Sequence, residues 1–344
     1  MSKLSAGIIG LGVGEQHLQA LMKHPDCRVT AIADLDPEKM ATVATHYPQL
    51  RCHAHADALI DDPEVNLVVV ASYDDAHYSQ ILRAIRSGKH VFAEKPLCTG
   101  DEQLAVIRAA LTANPGVRLS CNTILRMSPR FRELRDAIAA GEMGTIYYAE
   151  ADYDYGRLHK LTEGWRGRIR DYSVMLGGGV HMVDLLLWLT GRQVVEVFAV
   201  GNGLCSRGSG LENPDMVMAT LRFDDGMIAK VSANFGCVKP HFHRVMVYGT
   251  QATFENGVEC AHLYRSRDAE TPPEELCTPY PGVHKGALIP GFIDTILGRG
   301  RAEVEEDDVF ATMDVCFAID RSLRERRPVA ISSTAIKSER LVNE

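Results

Sequence analysis

Two hydrophobic periods alternate through the first 120 residues, and this alternation restricts the fold more than any other feature of the chain. Apolar runs of strand type at 6–12, 28–34, 66–72 and 90–93 are separated by stretches of helical spacing. In the first of these, residues 15–24, Leu18, Leu21 and Met22 share a face. In another, residues 76–87, Ile81, Leu82 and Ile85 do so, and Gly88 follows as a C-terminal stop. Pro37 opens the helix between, where its missing N–H costs nothing. Strands that lack strict alternation and are divided by helices predict a parallel sheet buried on both faces. A strand at 117–124 closes the pattern.

Beyond residue 124 the pattern changes. Helical stretches at 129–140 and 180–189 flank a strand at 145–153. Alternating strands at 216–223 and 227–235 are joined by Asp224-Asp225-Gly226, a hairpin signal. Strands at 244–248 and 252–254, a helix at 304–323 and a strand at 328–331 complete an antiparallel sheet with helices on one face. Its other face, partly apolar, offers a surface for self-association. With 344 residues the chain has room for about two domains of roughly 150 residues each. The boundary falls at 123/124, and the C-terminal segment has the option of packing back on the first domain.

Composition removes whole classes of function. A net charge of −8 argues against a nucleic-acid partner, which would call for a basic patch. No apolar run approaches the roughly 20 residues of a membrane helix. Nine scattered cysteines form no C-x-x-C pair, so they read as reduced and buried, which places the protein in the cytoplasm.

Chemistry gathers at two motifs. Gly10-Leu11-Gly12-Val13-Gly14 lies between a strand and a helix, the setting of a dinucleotide fingerprint. Glycines let the backbone approach a pyrophosphate, and the helix N-terminus adds N–H groups and partial positive charge. The spacing departs from G-x-G-x-x-G, with Glu15 where glycine is expected and the third glycine one residue early. Asp34 ends the second strand about 20 residues on, where a carboxylate binds ribose hydroxyls and repels a 2′-phosphate; NAD is favoured over NADP. The second motif, Glu94-Lys95-Pro96, puts a charged pair at the C-terminal end of a parallel strand, where ligands bind in such sheets.

Taken together these features resemble the Gfo/Idh/MocA family, the glucose–fructose oxidoreductase and inositol dehydrogenase relatives. The match runs in order through the glycine loop and His17, Ala33-Asp34, His77, Glu94-Lys95-Pro96, Asn122, Gly178-Gly179-Val180-His181 with Asp184, and Gly249-Thr250. The resemblance implies a Rossmann domain followed by an α/β domain with a large, open, mainly antiparallel sheet. It also implies NAD(P)-dependent oxidation of a hydroxyl on a sugar, sugar derivative or cyclic polyol, by a homodimer or homotetramer built on the C-terminal sheet. Lys95 and His181 would be catalytic, and Gly10, Gly12, Val13, Gly14, Asp34, Ser72, His77, Glu94 and Lys95 would hold the cofactor. Asn122, Arg126, Tyr155, Trp165, Arg166, Arg168, Asp184 and His243 are candidate substrate ligands. Other basic groups, Arg157, His159, Lys239, His241, His284 and Lys285, hint at an anionic substrate. His241 and His243 raise the idea of a metal, but no third ligand is evident, so none is expected.

One departure stands out. Many relatives carry Asp four residues before the histidine, and here that position is Gly177. Asp171 and Tyr172 are the nearest replacements in sequence. The gap keeps two alternatives open: a glycosidase or epimerase that oxidises transiently, and a dinucleotide-binding regulator without catalysis.

Overall fold

The structure is a computed structural model and describes residues 4–331. Its first sheet holds β1 (Leu4–Ile9), β2 (Cys27–Ala33), β3 (Arg51–His53), β4 (Leu67–Val70), β5 (His90–Ala93) and β6 (Leu119–Cys121), all parallel, in the order β3-β2-β1-β4-β5-β6. The crossovers are α1 (Gly14–Lys23), α2 (Pro37–His46), α3 (Ala56–Asp61), α4 (His77–Arg86) and α5 (Asp101–Ala113). Every residue of β1 and of β4 is buried, which is why these strands carry continuous apolar runs rather than alternation. The strand order reverses between β1 and β4, and the crevice at their C-terminal ends is where such sheets bind ligands.

Two boundaries differ from the sequence pattern. β3 carries no apolar signal, because its three residues are an edge strand with Arg51 and Cys52 exposed. The run at 117–124 is strand only over β6; Ile124–Met127 then turns as a 3₁₀ helix into the second domain.

The second domain adds α6 (Pro129–Ala139), β7 (Ile146–Asp154), α7 (His159–Thr162), α8 (Val180–Thr190), β8 (Val194–Asn202), β9 (Met216–Phe223), β10 (Ile228–Asn234), β11 (Phe242–Gly249), β12 (Thr253–Glu255), β13 (Ala261–Tyr264), β14 (Glu274–Leu276), α9 (Ile289–Ile296), α10 (Glu306–Glu325) and β15 (Val329–Ala330). Its nine strands run β14-β13-β12-β11-β7-β10-β9-β8-β15; β7 and β10 pair in parallel, the other neighbours antiparallel. α8 is apolar nearly all round because it lies between this sheet and the helices α6 and α10. The opposite face leaves Tyr147, Phe198, Val200 and Ile228 exposed beside ion pairs such as Lys230–Glu150, 2.7 Å.

The later segments return to the first domain. α9 packs on α1, and α10 on α5 and β6. The Leu119 N–H donates to Glu306 (3.0 Å), the Ser120 hydroxyl to the Val304 carbonyl (2.9 Å), and Arg108 pairs with Asp314 (2.9 Å). Among the described residues no helix is long and apolar enough to cross a membrane.

The cysteines correct one expectation. Cys260 and Cys277, opposite each other beside the β13–β14 pair, form a disulfide, and Cys52 and Cys205 are exposed. The set is therefore neither wholly reduced nor wholly buried, and it no longer argues for a compartment. Pairing across two strands distant from any C-x-x-C spacing left no sequence signal.

Candidate active site

A cavity of about 1090 Å³ runs from the glycine loop, across the C-terminal ends of β1, β4 and β5, to the mouth of the second sheet. At one end Gly10 holds φ +86°, and a Cβ there would lie 2.3 Å from the Ala71 carbonyl oxygen; only glycine allows this close approach of loop to strand. Gly12 has nothing within 4 Å of where its Cβ would be. Gly10, Gly12 and Val13 line the cavity, and Gly14 opens α1 against Ile8. The Asp34 carboxylate accepts from the Leu11 N–H (2.5 Å) and the Asp36 N–H (2.8 Å), so the loop fixes it at the cavity wall. An open backbone cradle at a helix N-terminus, beside a fixed carboxylate, fits the pyrophosphate and ribose of a dinucleotide.

At the centre, Glu94 and Lys95 leave the end of β5. The Glu94 carboxylate accepts from Asn122 (2.7 Å) and bonds the His17 ring (2.9 Å). Burial would raise its pKa, but the His17 bond and nearby cationic charge win and hold it down at about 2. Ser72 lines the cavity with its hydroxyl on Gln80 (2.7 Å). His77, wholly buried, sets its two ring nitrogens against the Pro96 and Ser72 carbonyls (2.7 and 3.2 Å) and so ties the β4 loop to the Glu-Lys-Pro turn.

Lys95 Nζ donates to the Gly177 carbonyl across the domain boundary, 2.7 Å. Burial lowers its pKa, against the pull of Asp74 and Glu94. Gly177 lies in a π-helical turn, Met175–Gly179, that leads directly into α8 and places His181 in the first turn. The glycine run is a packing requirement: a Cβ at 178 would meet the Tyr153 ring at 2.4 Å, and one at 177 would meet Tyr172 Oη at 1.8 Å. His181 is buried, its ring stacked on Tyr153 at 6.0 Å, and its Nδ1 has no hydrogen-bond partner among the described residues. Burial, then the charges of Lys95 and Lys285, push its pKa well below 6.5, so it is a neutral imidazole.

Two further histidines complete this wall. His243 sits 4.7 Å from His241, ring to ring, and its Nδ1 contacts Tyr280 Oη at 2.6 Å. That hydroxyl also accepts from the His243 N–H (2.9 Å), so ring and backbone of His243 are held by one group. Burial lowers the pKa of His243 to about 3 and of His241 to about 4. Tyr155, Arg157, Trp165, Arg166, Phe235 and Lys285 line the same end; Trp165 packs on Tyr73 at 4.8 Å.

Other sequence candidates lie elsewhere. Arg126 and Asp184 form a buried ion pair of 2.7 Å behind the cavity, and Arg126 also reaches Asp308 (3.0 Å), so both are spent on tying α8 and α10 to the 3₁₀ turn. Asn122 is buried under Glu94, and Arg168 is exposed. None of the four lines the cavity. Of the two suggested replacements at 177, Asp171 is exposed, whereas Tyr172 is buried with its hydroxyl filling the space beside Gly177 and accepting from Arg166 Nε (3.1 Å). Asp74, which no motif marked, lies buried in the cavity wall.

Residues 4–122 match the oxidoreductase family with an NAD-binding Rossmann fold, GFO_IDH_MocA, and residues 131–255 match the GFO/IDH/MocA C-terminal domain. This chain belongs to that family. Inositol 2-dehydrogenase 2 of Saccharopolyspora erythraea is 31% identical over 215 residues, 62% of this chain and 60% of that protein. The 1,5-anhydro-D-fructose reductase of Ensifer adhaerens is 30% identical over 65% of this chain and 67% of its own length. The fold matches scyllo-inositol dehydrogenase from Lactobacillus casei, solved with bound NAD(H) and scyllo-inositol, with a TM-score of 0.81 at 16% identity, covering 96% of this chain and 100% of that one. The match to the first relative thus spans about three-fifths of that protein's length.

Proposed function

We propose that the protein is an NAD-dependent dehydrogenase that oxidises a hydroxyl of a sugar or polyol derivative, or reduces the matching ketone. The observation that carries this reading is the meeting of Lys95 from the first domain and His181 from the second in one cavity with the glycine loop and Asp34. Its relatives named as inositol dehydrogenases and as a 1,5-anhydro-D-fructose reductase support a polyhydroxylated substrate. A bound NAD would supply the hydride acceptor for the carbinol carbon, held by the glycine loop and Asp34. A neutral His181 is in the protonation state to take the hydroxyl proton. Lys95, held by the Gly177 carbonyl, presents its remaining N–H donors to the same oxygen.

Arg157, Arg166 and Lys285 face the cavity with few carboxylates to answer them, which supports a substrate that carries a carboxylate or phosphate. Asp34 supports NAD over NADP, since its fixed carboxylate suits ribose hydroxyls and repels a 2′-phosphate. The exposed apolar face of the second sheet supports a homodimer or homotetramer. The decisive test is a screen of neutral polyols, sugar acids and sugar phosphates, followed by absorbance of the reduced cofactor. Net accumulation of reduced cofactor separates dehydrogenation from transient oxidation, and no turnover with any of the three classes overturns the reading.

A further inference from the structure

Arg130 stands where two rules speak against it. It is a charge with only 1% of its surface exposed, and a cation in the first turn of α6, where the helix dipole opposes positive charge. None of its N–H donors reaches a carboxylate. All five go instead to four oxygens on two chain segments, so the guanidinium is fully satisfied. Nε and Nη2 donate to the Thr278 carbonyl (3.2 and 2.9 Å), and Nη2 also donates to the Glu259 carbonyl (2.5 Å). Nη1 donates to the Gly257 carbonyl (2.6 Å) and to Asn256 Oδ1 (3.1 Å). Both segments lead to His243. Thr278 lies two residues before Tyr280, whose hydroxyl meets the His243 ring and N–H at 2.6 and 2.9 Å. The guanidinium also lies 5.2 Å from the centre of the Tyr280 ring. Asn256, held by Arg130 through its oxygen, donates its amide to the His243 carbonyl (2.9 Å). One buried cation thus reaches the histidine twice, through its main chain and through its ring. The Cys260–Cys277 disulfide already ties the same two segments together, next to Glu259 and Thr278. Joining them is therefore not what a further buried charge contributes; its fixed directions set where Thr278 and Asn256 lie.

We propose that Arg130 is the positioning residue for His243: from the first turn of α6 it sets Asn256 and the chain leading to Tyr280, and through them the ring that His243 presents to the substrate cavity. His243 and Tyr280 line that cavity and Arg130 does not, so Arg130 acts only through its partners. The part of His243 in substrate binding rests on the dehydrogenase reading; its placement by Arg130 does not. Oxygens in fixed directions on two segments call for a planar fork of donors. The freely rotating donors of a lysine, all on one nitrogen, cannot serve both segments in the same geometry.

The test is Arg130→Lys and Arg130→Gln in the full-length protein, read first without substrate. Nitrogen NMR of isotope-labelled histidine rings follows His243 directly, its signals assigned by their loss in His243→Gln. Tyr280→Phe removes the hydroxyl and supplies the Nδ1 position of a ring without its partner. Both Arg130 variants should move the Nδ1 signal toward that position. A residue that merely supported the fold would lower the melting temperature and leave this signal in place. In kinetics with the best substrate of the screen above, KM should rise by about three- to tenfold, the worth of one hydrogen bond, while kcat and the dissociation constant for NAD stay put. An Nδ1 signal at its wild-type position in either folded variant overturns the proposal. Gln leaves no unpaired charge in the core, so it decides the matter if Arg130→Lys does not fold. A moved signal with unchanged KM keeps the placement and overturns the part of His243 in binding. A wild type without turnover on any substrate class refutes the dehydrogenase reading instead, and the NMR result still decides the placement.

Discussion

The neutral histidine wall makes this protein acid-sensitive, and His243 lets the effect be worked out. Its pKa in the folded state is about 3, because it is buried and lies near His241 and Lys285. In the unfolded chain an ordinary histidine titrates near 6.5. Between those values the unfolded chain binds the extra proton, so stability falls as pH falls from about 6.5 and levels off near 3. At pH 5 the loss from this one residue relative to pH 7 is about 2 kcal/mol, by the linkage of 1.36 kcal/mol per unit of pKa difference. His243→Gln keeps a polar side chain but cannot titrate. Urea unfolding of wild type and variant at pH 7 and pH 5, followed through the transition of the second domain, measures the difference. The wild type should lose about 2 kcal/mol more than His243→Gln over that interval. An equal loss in both would mean that His243 is not buried as a neutral base.

Three other outcomes follow from the same geometry. Lys95→Ala and His181→Ala should each cut turnover by about 10²–10⁴-fold, the usual worth of an acid–base group, while isothermal titration shows NAD affinity nearly unchanged. Asp34→Ser should narrow the preference for NAD over NADP in kcat/KM; equal efficiency with both cofactors in the wild type would show that the Asp34 assignment is wrong. Gly177→Ala drives a methyl group into Tyr172 Oη and should cost about 1–3 kcal/mol by overpacking, read as a lower melting temperature; no loss would mean that Tyr172 swings away freely.

Much of the cofactor half was legible in the sequence because its signals are local. A glycine forced by a carbonyl 2.3 Å away, a carboxylate at a strand end and an apolar run buried on both faces all leave marks within ten residues. The substrate half was legible only in its residue types. Arg126 looks like a sugar ligand in the linear chain, and only the return of α10 shows that Asp184 and Asp308 consume it. β8, β13 and β14 left too little period to stand out, β13 and β14 because they are short and border the exposed edge of the sheet. The Cys260–Cys277 bond depends on strand register, which no spacing rule encodes.

The hidden part of the site is also the part that crosses between domains. Lys95 reaches the Gly177 carbonyl over 82 positions of sequence, Asp74 shares a cavity with Arg166 of the second domain, and Tyr172 fills the space beside Gly177. Each of these residues is unremarkable where it stands in the chain: an acid in a loop, a glycine in a run, a tyrosine before a helix. Their meaning comes from exclusion. Tyr172 takes the space beside Gly177, so only a residue without a side chain fits there. The contact of Lys95 with the Gly177 carbonyl is made where the two domains meet. The π-helical turn that sets this carbonyl also carries His181 into the first turn of α8, so one local deformation of the helix places both groups on the second domain's side of the cavity.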